Sequence, residues 1–152
     1  MIETKKSSTN LDESSNLIID GNGNLRGEKK KVISLGVVVV NGNLQAKYCL
    51  FRNLQVSGNS KIESTNIIEK GLFYGNAEFL DCNLKDLILK CGKFTFKNST
   101  IVGDIKIKKS WWWGGEIILD NSLVKGNVVF IGGKKAIVYR NGGKVEGKIS
   151  VK

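Results

Sequence analysis

The side chains that could do chemistry are few. The chain has no histidine, so the usual general base for an activated serine or cysteine is missing. Its cysteines, Cys49, Cys82 and Cys91, are odd in number and show no C-x-x-C spacing. That argues against a disulfide framework and a zinc site, and it suits buried structural thiols. Asp81 with Asp86, and Glu116 with Asp120, are carboxylate pairs by sequence proximity alone, and each fits a solvated corner. Asp20, Asn22 and Asn24 have the opening spacing of a calcium loop. Leu25, however, stands where that loop needs glycine, and Lys31 stands where it needs a bidentate glutamate. Gly132-Gly133-Lys134-Lys135 lacks the form of a phosphate loop. The expectation is a non-enzymatic protein with no catalytic residue, metal or cofactor and no small-molecule substrate.

What remains is charge and tryptophan. The net charge is +10, unevenly placed. Residues 85–152 hold fourteen Lys/Arg against five acids, whereas residues 1–27 hold three against four. A basic half of this kind is an electrostatic footprint for nucleic acid or an anionic membrane surface. Lys106, Lys108, Lys109 and Lys125, with Trp112, are the candidate ligand or anion patch. Scattered outward lysines are also how strand-rich folds block unwanted edge pairing. Lys93 and Lys148 belong to the same question, which turns on whether these lysines share one face. The run Trp111-Trp112-Trp113 has two readings: an aromatic wedge in the core, or an exposed platform for a sugar, a base or a partner subunit.

The elements that must position these residues are set by a repeat. Gly58, Gly75 and Gly92 recur at steps of seventeen, each followed two and four positions later by apolar or small residues. Continuing the step through Lys109, Gly126 and Gly143 predicts two inward columns. One is Ser60, Ala77, Phe94, Trp111, Val128 and Val145; the other is Ile62, Phe79, Phe96, Trp113 and Phe130. In that register Trp112 points outward. A third column is Ile67, Leu84, Ile101 and Ile118. Period-two apolar spacing means short strands, and recurrence near twenty residues means that the strand returns once per coil. The expected fold is all-β: a single-stranded β-solenoid, or β-helix, with coils of about 17 residues. Eighteen glycines and no proline suit continuous ladders.

Residues 1–15 are polar and serine-rich and are expected as a flexible tail, with the solenoid domain over 16–152. Val32 to Val40 is nearly all apolar, which predicts a strand buried on both faces or one capping the solenoid. On stacked coils Lys61 should lie beside Glu78, and Asn66 beside Asn83. The end strands, with Val37, Val38, Val39 and Val40 at one end and Ile149 and Val151 at the other, are the candidates for self-association by strand pairing.

Two families are resembled. The blocks A-E-F-L-D, C-N-L-K-D, L-I-L-K-C and G-K-F-T-F over about 77–96 resemble pentapeptide-repeat proteins locally. The units Val102 to Ile107, Lys125 to Phe130 and Glu146 to Val151 each place a glycine before alternating apolar residues. In that respect the chain resembles the bactofilins, bacterial polymer-forming cytoskeletal proteins. The three cysteines, the tryptophan run and the five-residue rhythm depart from that pattern. The resemblance implies a right-handed β-helix, end-to-end assembly into a homo-oligomer or polymer without nucleotide, and a cytoplasmic scaffold at the membrane surface.

Overall fold

In the computed structural model, residues 15–108 and 115–152 are described, together with a strand at Ile2–Thr4. Among the described residues there is no helix. The chain winds through about 8 turns of a β-solenoid with parallel sheets. After β1 (Ile2–Thr4), the first coil holds β2 (Leu17–Asp20) and β3 (Gly23–Arg26). Four coils follow, each a long strand and then a short one. These are β4 (Ile33–Asn41) with β5 (Leu44–Lys47), β6 (Cys49–Val56) with β7 (Ser60–Glu63), β8 (Asn66–Tyr74) with β9 (Ala77–Leu80), and β10 (Asn83–Lys90) with β11 (Lys93–Lys97).

The long strand then splits. β10 pairs with β12 (Thr100–Ile101) along its first part and with β13 (Ile105–Lys108) along its second. Each coil therefore presents three runs, called here the first, second and third faces. The third face continues through β14 (Glu116–Asp120) and β17 (Ile137–Arg140); the first through β15 (Leu123–Val124) and β18 (Lys144–Val145); the second through β16 (Val128–Ile131) and β19 (Ile149–Val151).

Alternation decides what is inside. In β13 the order is Ile, Lys, Ile, Lys, and the isoleucines are buried while the lysines are exposed. The five-residue rhythm has the same cause, because Ala77/Phe79, Cys82/Leu84, Leu87/Leu89 and Phe94/Phe96 are all inward pairs two residues apart. In the centre, Phe79 stacks on Phe96 at 4.7 Å between ring centroids and meets Phe73 edge-on at 5.0 Å.

The repeat holds through the middle of the chain. Ser60, Ala77 and Phe94 stand over one another, as do Ile62, Phe79 and Phe96, and Ile67, Leu84 and Ile101. Lys61 is in register with Glu78 and Asn66 with Asn83. After Phe96 the predicted register fails. Phe94 is followed by Ile117 and Phe96 by Leu119, a step of 23 where the preceding one is 17. This coil is longer, and residues 109–114 within it are outside the described residues. Ile101 is likewise followed by Val124 instead of Ile118. Val128 and Phe130 sit over Ile105 and Ile107 on the second face, and Val145 over Val124 on the first.

The glycines therefore form two corner columns where one was expected. At one corner, alanine at Gly92 would press into the Gly75 carbonyl; at the other, a Cβ on Gly126 meets Gly103 and one on Gly147 meets Gly126. A third corner uses left-handed backbone instead. Tyr48, Ser64, Asp81, Asn98 and Asn121 all have φ between 47° and 54°. Four of the five are polar residues able to bond locally, which eases that conformation.

Of the expected tail, Ile2–Thr4 pairs antiparallel with β3, and residues 5–14 are outside the described residues. One expectation near the chain start also changes. The apolar run ending at Val40 is neither a cap nor buried on both faces. β4 alternates, with Val38 and Val40 inward and Val37 exposed, and β2 and β6 flank it on either side.

Candidate interaction surfaces

Side-chain ladders at the corners hold each coil to the next. Asn22, Asn43, Asn59 and Asn76 each accept, through Oδ1, the backbone N–H of the corresponding residue one coil on, at 2.8–3.1 Å, and Lys93 is the last donor. Asp86, Asp104 and Asn127 do the same toward Asp104, Asn127 and Lys148, at 2.8–2.9 Å. Asp20 accepts from the Asn41 amide at 2.9 Å and Asp120 from the Asn141 amide at 2.7 Å. Asp20 and Asn22 of the calcium-loop spacing, and Asp86 and Asp120 of the candidate acids, are thus engaged in coil-to-coil bonds. Glu116 is in register with Lys93, and Asp81 sits at a left-handed corner. Among the described residues no group of three or more potential metal ligands converges.

The third corner explains the cysteines. Cys49, Thr65, Cys82, Ser99 and Ser122 directly follow the five left-handed residues. The hydroxyls of Thr65, Ser99 and Ser122 donate to the carbonyl two residues back, at 2.8–2.9 Å, and accept the N–H of Cys49, Cys82 and Ser99 respectively. The thiols of Cys49 and Cys82 donate in the same way to the Lys47 and Leu80 carbonyls, at 3.4 and 3.3 Å. A thiol here replaces a hydroxyl in a structural ladder. Burial pushes Cys49 from an ordinary 9.0 up to about 11 and Cys82 up to about 12.

Cys91, by contrast, is exposed. A thiol reagent at neutral pH therefore modifies Cys91 alone in the folded protein, and all three cysteines after unfolding; mass spectrometry reads the difference. Because both folded values lie above the unfolded one, the thiols' contribution is complete below pH 9 and lost above it. Stability falls by roughly 1.4 kcal/mol per pH unit per thiol as pH rises from about 9 toward 11, which denaturation at stepped pH would show.

The candidate lysines do not share one face. Lys106 and Lys108 project from β13 on the second face, Lys125 follows β15 on the first, and Lys93 opens β11 on the third. Lys109 and Trp112, with the rest of the tryptophan run, are outside the described residues. The second face gathers a group that sequence reasoning missed. Lys108 is in register with Lys90, whose Nζ lies 5.0 Å over the Tyr74 ring. Beside them an outward column runs Leu72, Ile88, Lys106, Val129. Lys70 and Asp86 flank it.

The two ends differ. At the first coil, β1 covers the outer edge of β3, while β2 pairs with β4 alone among the described residues. Ser15 and Asn16 supply acceptors to the N–H groups of Gly36 and Val37 in β4, and Glu28 and Lys31 bond to each other. Val37, Val38, Val39 and Val40 lie within the sheet, with neighbours on both sides, so they are not an end strand. At the last coil β17, β18 and β19 each pair on one side only among the described residues. The core-facing positions there stay partly open: Ile137, Val145 and Ile149 are half-buried, while Tyr139 is 47% and Val151 53% exposed. No helix of the described residues is long and apolar enough to cross a membrane. No protein-family model matches the chain, and neither the curated proteins nor the solved structures offer a match to it.

Proposed function

We propose that this protein is a non-enzymatic scaffold that self-associates through the last coil of its solenoid. One observation carries the reading: among the described residues all three strands of the last coil, β17, β18 and β19, pair on one side only above an apolar floor, whereas at the first coil β1 covers β3 and only β2 pairs on one side alone. A sheet edge with unpaired backbone groups is a template for pairing with another chain. Ile149 and Val151 belong to that edge; Tyr139 and Ile137 extend it to the third face. Sedimentation across a range of concentrations tests this. The 152-residue chain should show a concentration-dependent larger species, and Tyr139→Lys with Val151→Lys should return it to monomer without altering the circular dichroism. A strict monomer at high concentration removes the proposal.

A second reading, attachment to an anionic membrane surface, is favoured by the second face, where Leu72, Ile88 and Val129 alternate in space with Lys90, Lys106 and Lys108. Aliphatic side chains between lysines suit a bilayer, which offers both apolar and anionic contacts, better than nucleic acid, which offers phosphate and stacking. Vesicles of phosphatidylcholine with phosphatidylglycerol should then float the protein, and Lys90→Gln with Lys108→Gln should weaken this at least about tenfold. Flotation that ignores those substitutions rejects the reading.

A further inference from the structure

We propose that the corner between the second and third faces is a binding groove for an extended, hydroxyl-rich chain, of the class of a β-linked oligosaccharide. The inference is independent of end-to-end assembly, because the groove lies along the side of the solenoid.

A shallow groove of about 490 Å³ runs there across successive coils. One wall is the row Asn43, Asn59, Asn76; the other is Gln45, Lys61, Glu78, and the residues of each row stand over one another. The asparagine row is pre-organised by the ladder. Each Oδ1 is committed to a backbone N–H of the next coil, at 2.8–3.1 Å, which fixes the orientation of the amide. The Nδ2 groups are thereby left as exposed donors, and no bond among the described residues uses them. Between the rows runs the backbone of Ser60 and Ala77, whose side chains turn into the core.

The chemistry these walls recognise is specific in kind. Donors come from the amides, Lys61 and Lys93, acceptors from Glu78 and Gln45, and Glu78 offsets one of the two lysine charges. A polyanion would meet Glu78, and an apolar ligand would leave fixed donors unpaired. A chain of hydroxyl groups satisfies both walls. The rungs repeat at the spacing between strands, about 4.8 Å, and an extended β-linked glycan advances by nearly that distance per sugar. Successive sugars therefore meet successive rungs. No aromatic ring lines the groove, so binding is weak and rests on hydrogen bonds.

The test is an NMR titration of isotope-labelled protein with soluble oligomers of β-linked glucose and of N-acetylglucosamine. α-linked glucose oligomers, which curl, serve for comparison. The side-chain amides of Asn43, Asn59 and Asn76 should shift and saturate with the extended chains and not with the curled ones. Lys61→Ala with Glu78→Ala, both outward substitutions, should weaken the effect about five- to tenfold while the remaining spectrum is unchanged. Absence of shifts at the solubility limit overturns the proposal. So do shifts confined to tryptophan indoles, equal response to curled chains, or an affinity indifferent to the double substitution. Repeating the titration on the Tyr139→Lys, Val151→Lys protein keeps the result separate from assembly.

Discussion

Replacing Gly92 with alanine should destabilise the domain by about 3 kcal/mol or more, read as a shift in the denaturation midpoint. The cause is close approach and not backbone conformation. A Cβ at this position is driven into the carbonyl group of Gly75, with the backbone nitrogen of Asn76 2.9 Å away. Neither neighbour is a side-chain end that can swing aside, so the coils must separate at that corner. Gly132 is the control. Its φ is +78° and nothing lies within 4 Å of the added carbon, so Gly132→Ala carries only the left-handed penalty, about 1–2 kcal/mol. If both variants lose the same small amount, the coils are not in contact at the Gly75–Gly92 corner.

The second large effect is expected at Phe79. Its ring is buried, stacked on Phe96 and edge-on to Phe73, so it joins three consecutive aromatic rings across two faces of the core. Phe79→Ala should cost about 3–5 kcal/mol. In a solenoid each coil contacts chiefly its neighbours, so the loss also weakens the coupling between the coils on either side. Denaturation followed by tryptophan fluorescence, which reports from residues 111–113, and by far-ultraviolet circular dichroism should then no longer coincide. Coincident transitions with a loss below about 1 kcal/mol would mean that the aromatic cluster is not the seam of the core.

How much of this was legible follows from the kind of signal each residue carries. Gly58 and Gly92 are required by close approach between coils and Gly75 by its left-handed backbone, φ +81°, and the inward pairs that follow them alternate with polar residues, so both repeats are visible in the letters. The step beyond Gly92 is invisible for a physical reason. A solenoid keeps its core register by vertical stacking, while a corner can take extra residues at little cost. Gly126 matched a seventeen-residue step by coincidence, since a second corner makes the same demand for glycine and places Gly103, Gly126 and Gly147 in a column of their own.

The corner ladders were hidden in another way. Cys49, Thr65, Cys82, Ser99 and Ser122 share one structural job that three residue types can perform, so no single letter recurs. Asn43, Asn59 and Asn76 do recur, but their role depends on which neighbour their Oδ1 meets, and that is fixed only once the coils are in register. The error at Val37 to Val40 came from hydrophobicity itself. An outward Val39 on a flat sheet, partly covered by the strands beside it, has the same letter as a core valine.

The claim under all of this is the register of the stacked coils, and interstrand NOE contacts measure it most directly. The account predicts backbone contacts from Phe94 to Ala77 on one side and to Ile117 on the other, with Phe96 likewise between Phe79 and Leu119. Contacts from Phe94 to Trp111 instead would contradict it, since they would restore the uniform seventeen-residue step and displace every column drawn here beyond Phe96.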